Sequence, residues 1–240
     1  MKKIDVLVFS VHPDDAELGC AGTICKLIHE GKKVGIVDLT RGELGSRGSA
    51  EIRTQEASIA SEVMGVGVRE NLDFRDGFFV HDEAHQLAII KKIRQYQPEV
   101  VITNAPHDRH PDHGRASKLV RDAIFLSGLR KVETTYEGET QVHWRPKRFF
   151  FFIQDYYLDP DFVIDITPFY QQKMKAVAAY SSQFNSPDTS KDPETYISSS
   201  DFWNFLEARS RTMGHKIGVT HGEGFVSEAA LKVNSVLDLI

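Results

Sequence analysis

Two short segments of this 240-residue sequence bring together side chains able to do chemistry: His12-Pro13-Asp14-Asp15 and His110-Pro111-Asp112-His113. Imidazole nitrogen and carboxylate oxygen are what Zn²⁺ takes, and a hydrolytic site keeps three protein ligands with one position left for water. His12 and Asp15 stand three apart, as do His110 and His113, so each pair can face one point from the start of a helix. Together they offer more donors than one ion needs, and some of them must have other duties. Asp14, beside the first pair, is the natural general base for a metal-activated water, whose lowered pKa asks only for a modest base. His110 with Asp112 can form an oriented acid or electrostatic group. A single His-Pro-Asp turn would read as a helix cap. Two of them read as a metal centre.

Both segments need a scaffold that makes them meet. An apolar, β-branched run from about Ile4 to Ser10 predicts a strand. Helical spacing follows from Glu17 to Glu30, with Gly31 placed as a stop. Val34 to Leu39 is the next strand, Ala50 to Met64 a helix stopped by Gly65, and Asn71 to Phe74 a short strand. Glu83 to Tyr96 predicts a helix, Val100 to Thr103 a buried strand, and Arg115 to Leu126 a helix ending at Gly128. This alternation predicts a Rossmann-like α/β fold: an open, mostly parallel sheet with helices on both faces. Ligands of such sheets bind outside the carboxyl ends of the strands, where strand order reverses. The first cluster follows the first strand, and the second follows the strand ending near Asn104.

The second half is less regular. Arg130 to Arg145 reads as a polar loop or weak hairpin, and Phe149 to Ile153 and Phe162 to Ile166 as strands. Pro168 opens a helix to about Tyr180, the Ser-, Pro- and Asp-rich stretch 185–194 reads as a mobile loop, and a last helix spans about Ser200 to Met213. With no break in composition, 1–240 is read as one domain whose second half builds walls over the site.

Composition narrows the partners. A net charge of -5, with no long basic run, argues against nucleic acid. The opening apolar run carries Asp5 and ends in His-Pro-Asp-Asp rather than a cleavage site, which points to a cytoplasmic protein. No segment approaches the roughly 18 apolar residues of a membrane span. Cys20 and Cys25 share one amphipathic stretch and are expected to be half-buried free thiols.

These motifs resemble the LmbE-like, or PIG-L-like, zinc-dependent N-acetylglucosamine deacetylases. The likeness takes in both clusters, the loop from Thr40 to Ser49, Ile52-Arg53 with Glu56, and Phe74-Arg-Asp-Gly77. Within that family the chain looks most like the bacillithiol-biosynthesis deacetylases, which act on N-acetylglucosaminyl-malate. The resemblance implies His12, Asp15 and His113 as zinc ligands, with Fe²⁺ or Co²⁺ able to substitute in a His₂Asp set. It implies Asp14 as base, and His110 with Asp112 behind it as the charged histidine at the leaving amine. Arg53 and Asp76 fall at positions that hold sugar hydroxyls in relatives. Tyr196 is the candidate oxyanion-stabilising tyrosine, with Arg145 as its neighbour. Arg47 or Arg109 would supply the guanidinium that an anionic aglycone needs. Relatives form symmetric homo-oligomers, often hexamers, and the implied partner is a small sugar substrate.

Two other readings compete. One is an amidase cleaving a sugar–cysteine thiol conjugate on the same scaffold. The other is a non-enzymatic sugar- or nucleotide-binding module, since Gly19 and Gly22 follow the first strand. Against the latter, no G-x-G-x-x-G fingerprint is present, and the acidic loop would repel a pyrophosphate.

Overall fold

The computed structural model describes residues 3–184 and 193–239; most of the loop expected over 185–194 lies outside them. The first strand, β1 (Val6–Ser10), is buried throughout, and its side chains divide by the two-residue period of a strand. Val6 and Val8 face one core, Leu7 and Phe9 the other. A strand apolar on both faces must be covered on both, and the helices do this. On one side lie α1 (Asp15–His29), α2 (Ala50–Met64), α5 (Tyr170–Ala178) and α6 (Ser200–Lys216). On the other lie α3 (Glu83–Tyr96) and α4 (Pro111–Ser127).

The remaining strands are β2 (Val34–Thr40), β3 (Val68–Phe74), β4 (Val100–Asn104), β7 (Arg148–Phe152), β8 (Phe162–Asp165) and β9 (Gly222–Val226). A separate hairpin joins β5 (Thr135–Tyr136) to β6 (Glu139–Thr140), within the stretch read as a loop or weak hairpin. The main sheet runs β3-β2-β1-β4-β7-β9-β8. From β1 the chain winds outward through β2 and β3, then returns to lay β4 against the free side of β1, pairing Val6 with Val100 and Val8 with Ile102. Strand order therefore reverses between β1 and β4, the two strands followed by the His/Asp segments.

Two features differ from the expected elements. Helix α4 begins at Pro111 rather than near Arg115, because His110 caps it and proline suits the first helical position. His113 thus projects from the first turn of α4. Strand β9 is not anticipated by the sequence. Its Gly-Glu-Gly start reads as a turn, yet it inserts antiparallel between β7 and β8.

Helix α1 is interrupted at Cys20, whose backbone (φ -146°, ψ 19°) is not helical. The freed backbone groups go to buried ions. Leu18 O accepts from Lys173 Nζ at 2.9 Å and Arg209 Nη2 at 2.7 Å, while Gly22 N and Thr23 N donate to Glu223 of β9 at 3.0 and 2.7 Å. Glu223 also pairs with Lys173 at 2.6 Å. The helix can lie this close only because residue 19 is glycine: a Cβ there would sit 2.1 Å from the Phe152 ring. Cys20 and Cys25 are both free and fully buried, not half-buried, and burial pushes the Cys25 thiol up to about 12. Among the described residues no helix is long and apolar enough to cross a membrane.

Candidate metal centre

At the reversal point the two loops bring three donors together. Asp15 Oδ2 lies 3.5 Å from His12 Nδ1, and Asp15 Oδ1 lies 3.3 Å from His113 Nε2. All three side chains are buried at the floor of a cavity of about 520 Å³. Each histidine's far nitrogen is held by a carboxylate: His12 Nε2 by Asp76 at 3.0 Å, His113 Nδ1 by Asp108 at 2.8 Å. An outer carboxylate on the distal ring nitrogen is how metal-binding histidines are oriented. Here it leaves Nδ1 of His12 and Nε2 of His113 turned toward Asp15, a donor set that fits a divalent ion. His110 also comes close, its ligating atom within 4.8 Å of those of His12 and His113; a second such group is formed by His12, Asp76 and Asp112. The set through Asp15 carries the stronger argument, because His110 Nδ1 is occupied in accepting from Asp112 N at 3.3 Å.

Without an ion the site balances its own charges. Burial alone would lower His12 and His113, but Asp15 with Asp76 lifts His12 to about 9, and Asp15 with Asp108 lifts His113 to about 10. Burial works in the other direction on Asp15, where the two histidines prevail and hold its carboxyl well below the usual range.

Asp14 stands immediately before α1, without a side-chain capping bond, and takes a φ of 129°, which for a non-glycine residue stores about 1–3 kcal/mol of strain. The conformation is over-determined by Arg53, whose Nη2 donates to Asp14 Oδ2 at 2.6 Å and to Pro13 O at 2.9 Å. Burial raises Asp14 to about 7, with Arg53 opposing. A carboxylate poised there is suited to take and return a proton near neutrality. Glu56, three residues on from Arg53, accepts from Ser181 and Ser182.

Other expected residues are placed as follows. His110 lines the cavity, and its acceptor role at Nδ1 puts the neutral ring's proton on Nε2. Asp112 does not stand behind His110. Its oxygens take Arg115 Nη1 at 2.7 Å and Gly77 N at 2.9 Å, because the first turn of α4 directs it at the Asp76 loop. Asp76 gives one oxygen to His12 and the other to Leu44 N at 3.0 Å, so it orients a ligand at the wall of the cavity. Arg47 reaches the cavity wall, but its Nε donates to Ser182 O and its Nη1 to Pro193 O. Arg109 and Tyr196 sit together at the mouth, the guanidinium 4.6 Å from the ring centroid and Nε 3.3 Å from Asp155. Arg145 is elsewhere. It precedes β7 and so falls at the amino end of the strands, over Phe125, lining a different groove from the one that holds His12.

Three residues of the centre were not singled out in the sequence: Asp108, Asn104 and Gln154. Asn104 Nδ2 and Gln154 Nε2 donate to Asp15 at 3.1 and 2.7 Å. Asp108 stands five residues before His113, and an extra carboxylate beside a ligand segment is the signal that could have found it.

The comparisons with known proteins agree with this geometry. Residues 7–124 match the family model described as PIG-L, GlcNAc-PI de-N-acetylase. A conserved protein from Thermus thermophilus superposes with a TM-score of 0.84 at 38% identity, over 96% of this chain and 98% of that one. Diacetylchitobiose deacetylase of Thermococcus kodakarensis is 28% identical over 92% of this chain and 80% of its own length. Mycothiol S-conjugate amidase of Streptomyces coelicolor is 28% identical over 62% of this chain, which spans 60% of that relative. With both histidine–aspartate segments at the reversal point of a mostly parallel sheet, the chain is similar to the PIG-L family of de-N-acetylases over the segment that carries them.

Proposed function

We propose that this protein is a metal-dependent hydrolase that removes the N-acetyl group from an N-acetylglucosamine derivative, with Zn²⁺ as the ion and Fe²⁺ or Co²⁺ as substitutes. The observation that carries the reading is Asp15 set between His12 Nδ1 and His113 Nε2, with Asp14 beside it in the same cavity. When bound, a divalent ion supplies Lewis acidity, polarising the acetyl carbonyl and acidifying the attacking water. His12, Asp15 and His113 would hold it. Asp14 takes the water's proton, and Arg53 keeps its carboxylate aimed while it does so. His110 hydrogen-bonds the developing oxyanion through its Nε2 proton, and Asp14 returns the proton it took from water to the amine as the amide C–N bond breaks. Tyr196, which lines the same cavity, would donate to the carbonyl oxygen once substrate fills it.

The proposed substrate is N-acetylglucosaminyl-malate, an intermediate of bacillithiol synthesis. Arg109 supports an anionic aglycone, since it is the arginine exposed at the cavity mouth. Arg47 and Arg53 are committed to backbone and Asp14. The deciding experiment is a panel of N-acetylglucosamine, its malate glycoside and its inositol glycoside, with acetate and free amine measured after metal reconstitution. Fastest acetate release from the malate glycoside is expected. Release of a larger acyl group from a thiol conjugate, without acetate release, would instead support the amidase reading that the mycothiol relative suggests.

A further inference from the structure

We propose that Gln154 fixes which lone pair of Asp15 Oδ1 is left for the metal, and thereby sets the affinity of the centre. The inference rests on the metal-centre reading above and deepens it.

A carboxylate offers about four lone-pair positions, two on each oxygen. On Asp15 Oδ2 two are taken, by His12 N at 3.0 Å and Asn104 Nδ2 at 3.1 Å. On Oδ1 one is taken, by Gln154 Nε2 at 2.7 Å. The position that remains is on Oδ1, which is also the oxygen 3.3 Å from His113 Nε2. Three neutral N–H donors thus leave Asp15 a single vacant lone pair without cancelling its charge.

The direction of these bonds is not free to flip. A backbone N–H can only donate, so Val11 N at 3.1 Å makes Asn104 Oδ1 the acceptor and turns Nδ2 toward Asp15. The same Nδ2 reaches Gln154 Oε1 at 3.4 Å, which turns Gln154 Nε2 onto Asp15 Oδ1. Strand register supplies the placement. β7 pairs Phe152 with Asn104, and two residues further the chain delivers Gln154 to the carboxylate. Gln154 is buried at the wall of the cavity. A positioning residue that acts on a ligand in this way shifts metal affinity by about 10–100-fold when removed.

The test replaces the amide with an unbranched side chain of similar length, Gln154→Met. Zn²⁺ affinity is read by competition with a chromophoric chelator, and coordination by the visible absorption of the Co²⁺-loaded protein. Affinity is expected to fall by about 10–100-fold, with a changed Co²⁺ band intensity as Asp15 gains a second open lone pair on Oδ1. A purely structural role for Gln154 would lower the melting temperature of the metal-free protein and leave the Co²⁺ spectrum as in wild type; that result overturns the inference. Equal affinity in wild type and variant overturns it too, while leaving the metal centre standing. Absence of divalent-ion binding by the wild-type protein removes both. If Gln154→Met does not fold, Gln154→Asn keeps the amide one methylene short of Asp15, and the same loss of affinity is expected.

Discussion

Arg53 donates through one nitrogen, Nη2, to both Asp14 Oδ2 and Pro13 O, so a single guanidinium edge holds the carboxylate and the backbone turn that precedes it. Both side chains of the pair are buried, their exposure 6% and 5%. Breaking such a pair leaves an uncompensated charge and costs about 3–5 kcal/mol. Arg53→Ala should lower the urea midpoint accordingly. It should also push the Asp14 pKa further up, because Arg53 is the influence opposing burial. The acid limb of the pH–rate profile then moves to higher pH, by about one to three units. An unmoved limb would mean that Arg53 does not govern the base.

Asp14→Asn keeps the shape and a hydrogen-bonding oxygen beside Arg53 but cannot take a proton. Metal content should equal that of wild type, while kcat falls by about 10²–10⁴-fold. Retained turnover would move the base assignment elsewhere in the cavity.

Asp108 and Arg145 give opposite expectations. Asp108→Ala frees His113 Nδ1 and should weaken metal binding by about 10–100-fold, measured by chelator competition. Arg145→Ala, at the far edge of the sheet over Phe125, should leave kcat/KM within about twofold of wild type. A large loss of activity in the Arg145 variant would contradict its placement.

Metal uptake should be coupled to proton release. His12 and His113 are held protonated in the metal-free protein, up to about 9 and about 10, by the carboxylates around them. Ligation needs the neutral ring, so each histidine gives up its extra proton when the ion enters. Affinity should therefore rise with pH from neutrality and level off only near those values. Titration calorimetry in buffers of different ionisation heat should count close to two protons at pH 7. A count near zero would show that the histidines are already neutral.

Glu223→Leu removes the acceptor of Gly22 N and Thr23 N and leaves Lys173 buried without its anion. The expected cost is about 3–5 kcal/mol by chemical denaturation. Stability within about 1 kcal/mol of wild type would mean that water replaces the carboxylate.

Much of this was legible in the sequence because it is local. The three-residue spacing in His12–Asp15 and His110–His113, and the strand run before each, place the clusters at strand ends without knowledge of the fold. What escaped depends on side-chain direction or long-range pairing. Asp112 looks in sequence as though it backs His110, but one step along a helix turns a side chain by about 100°, and it faces Gly77 instead. Asp108, further off in sequence, is the residue that reaches His113. Arg145 is misplaced on sequence alone because proximity to a strand does not say which end of the sheet is meant; residues before a strand sit at the edge opposite the ligands. β9 is hidden by its two glycines, which a lone segment would use in a turn and this sheet uses to let Met213 and Ile153 pack close.

The brace at the interruption of α1 bears on how this chain can be recombined. Every expected ligand lies between residues 12 and 113, within the 7–124 segment that matches the family model. The ions that hold the ligand-bearing half-turn of α1 are Lys173, Arg209 and Glu223, far outside it. A chimera joining the N-terminal half, up to the loop after α4, to the second half of a relative would inherit a full coordination sphere and a foreign keel. Its metal centre would form only where the incoming half returns a carboxylate and two cations to the same places beneath Leu18 and Gly22.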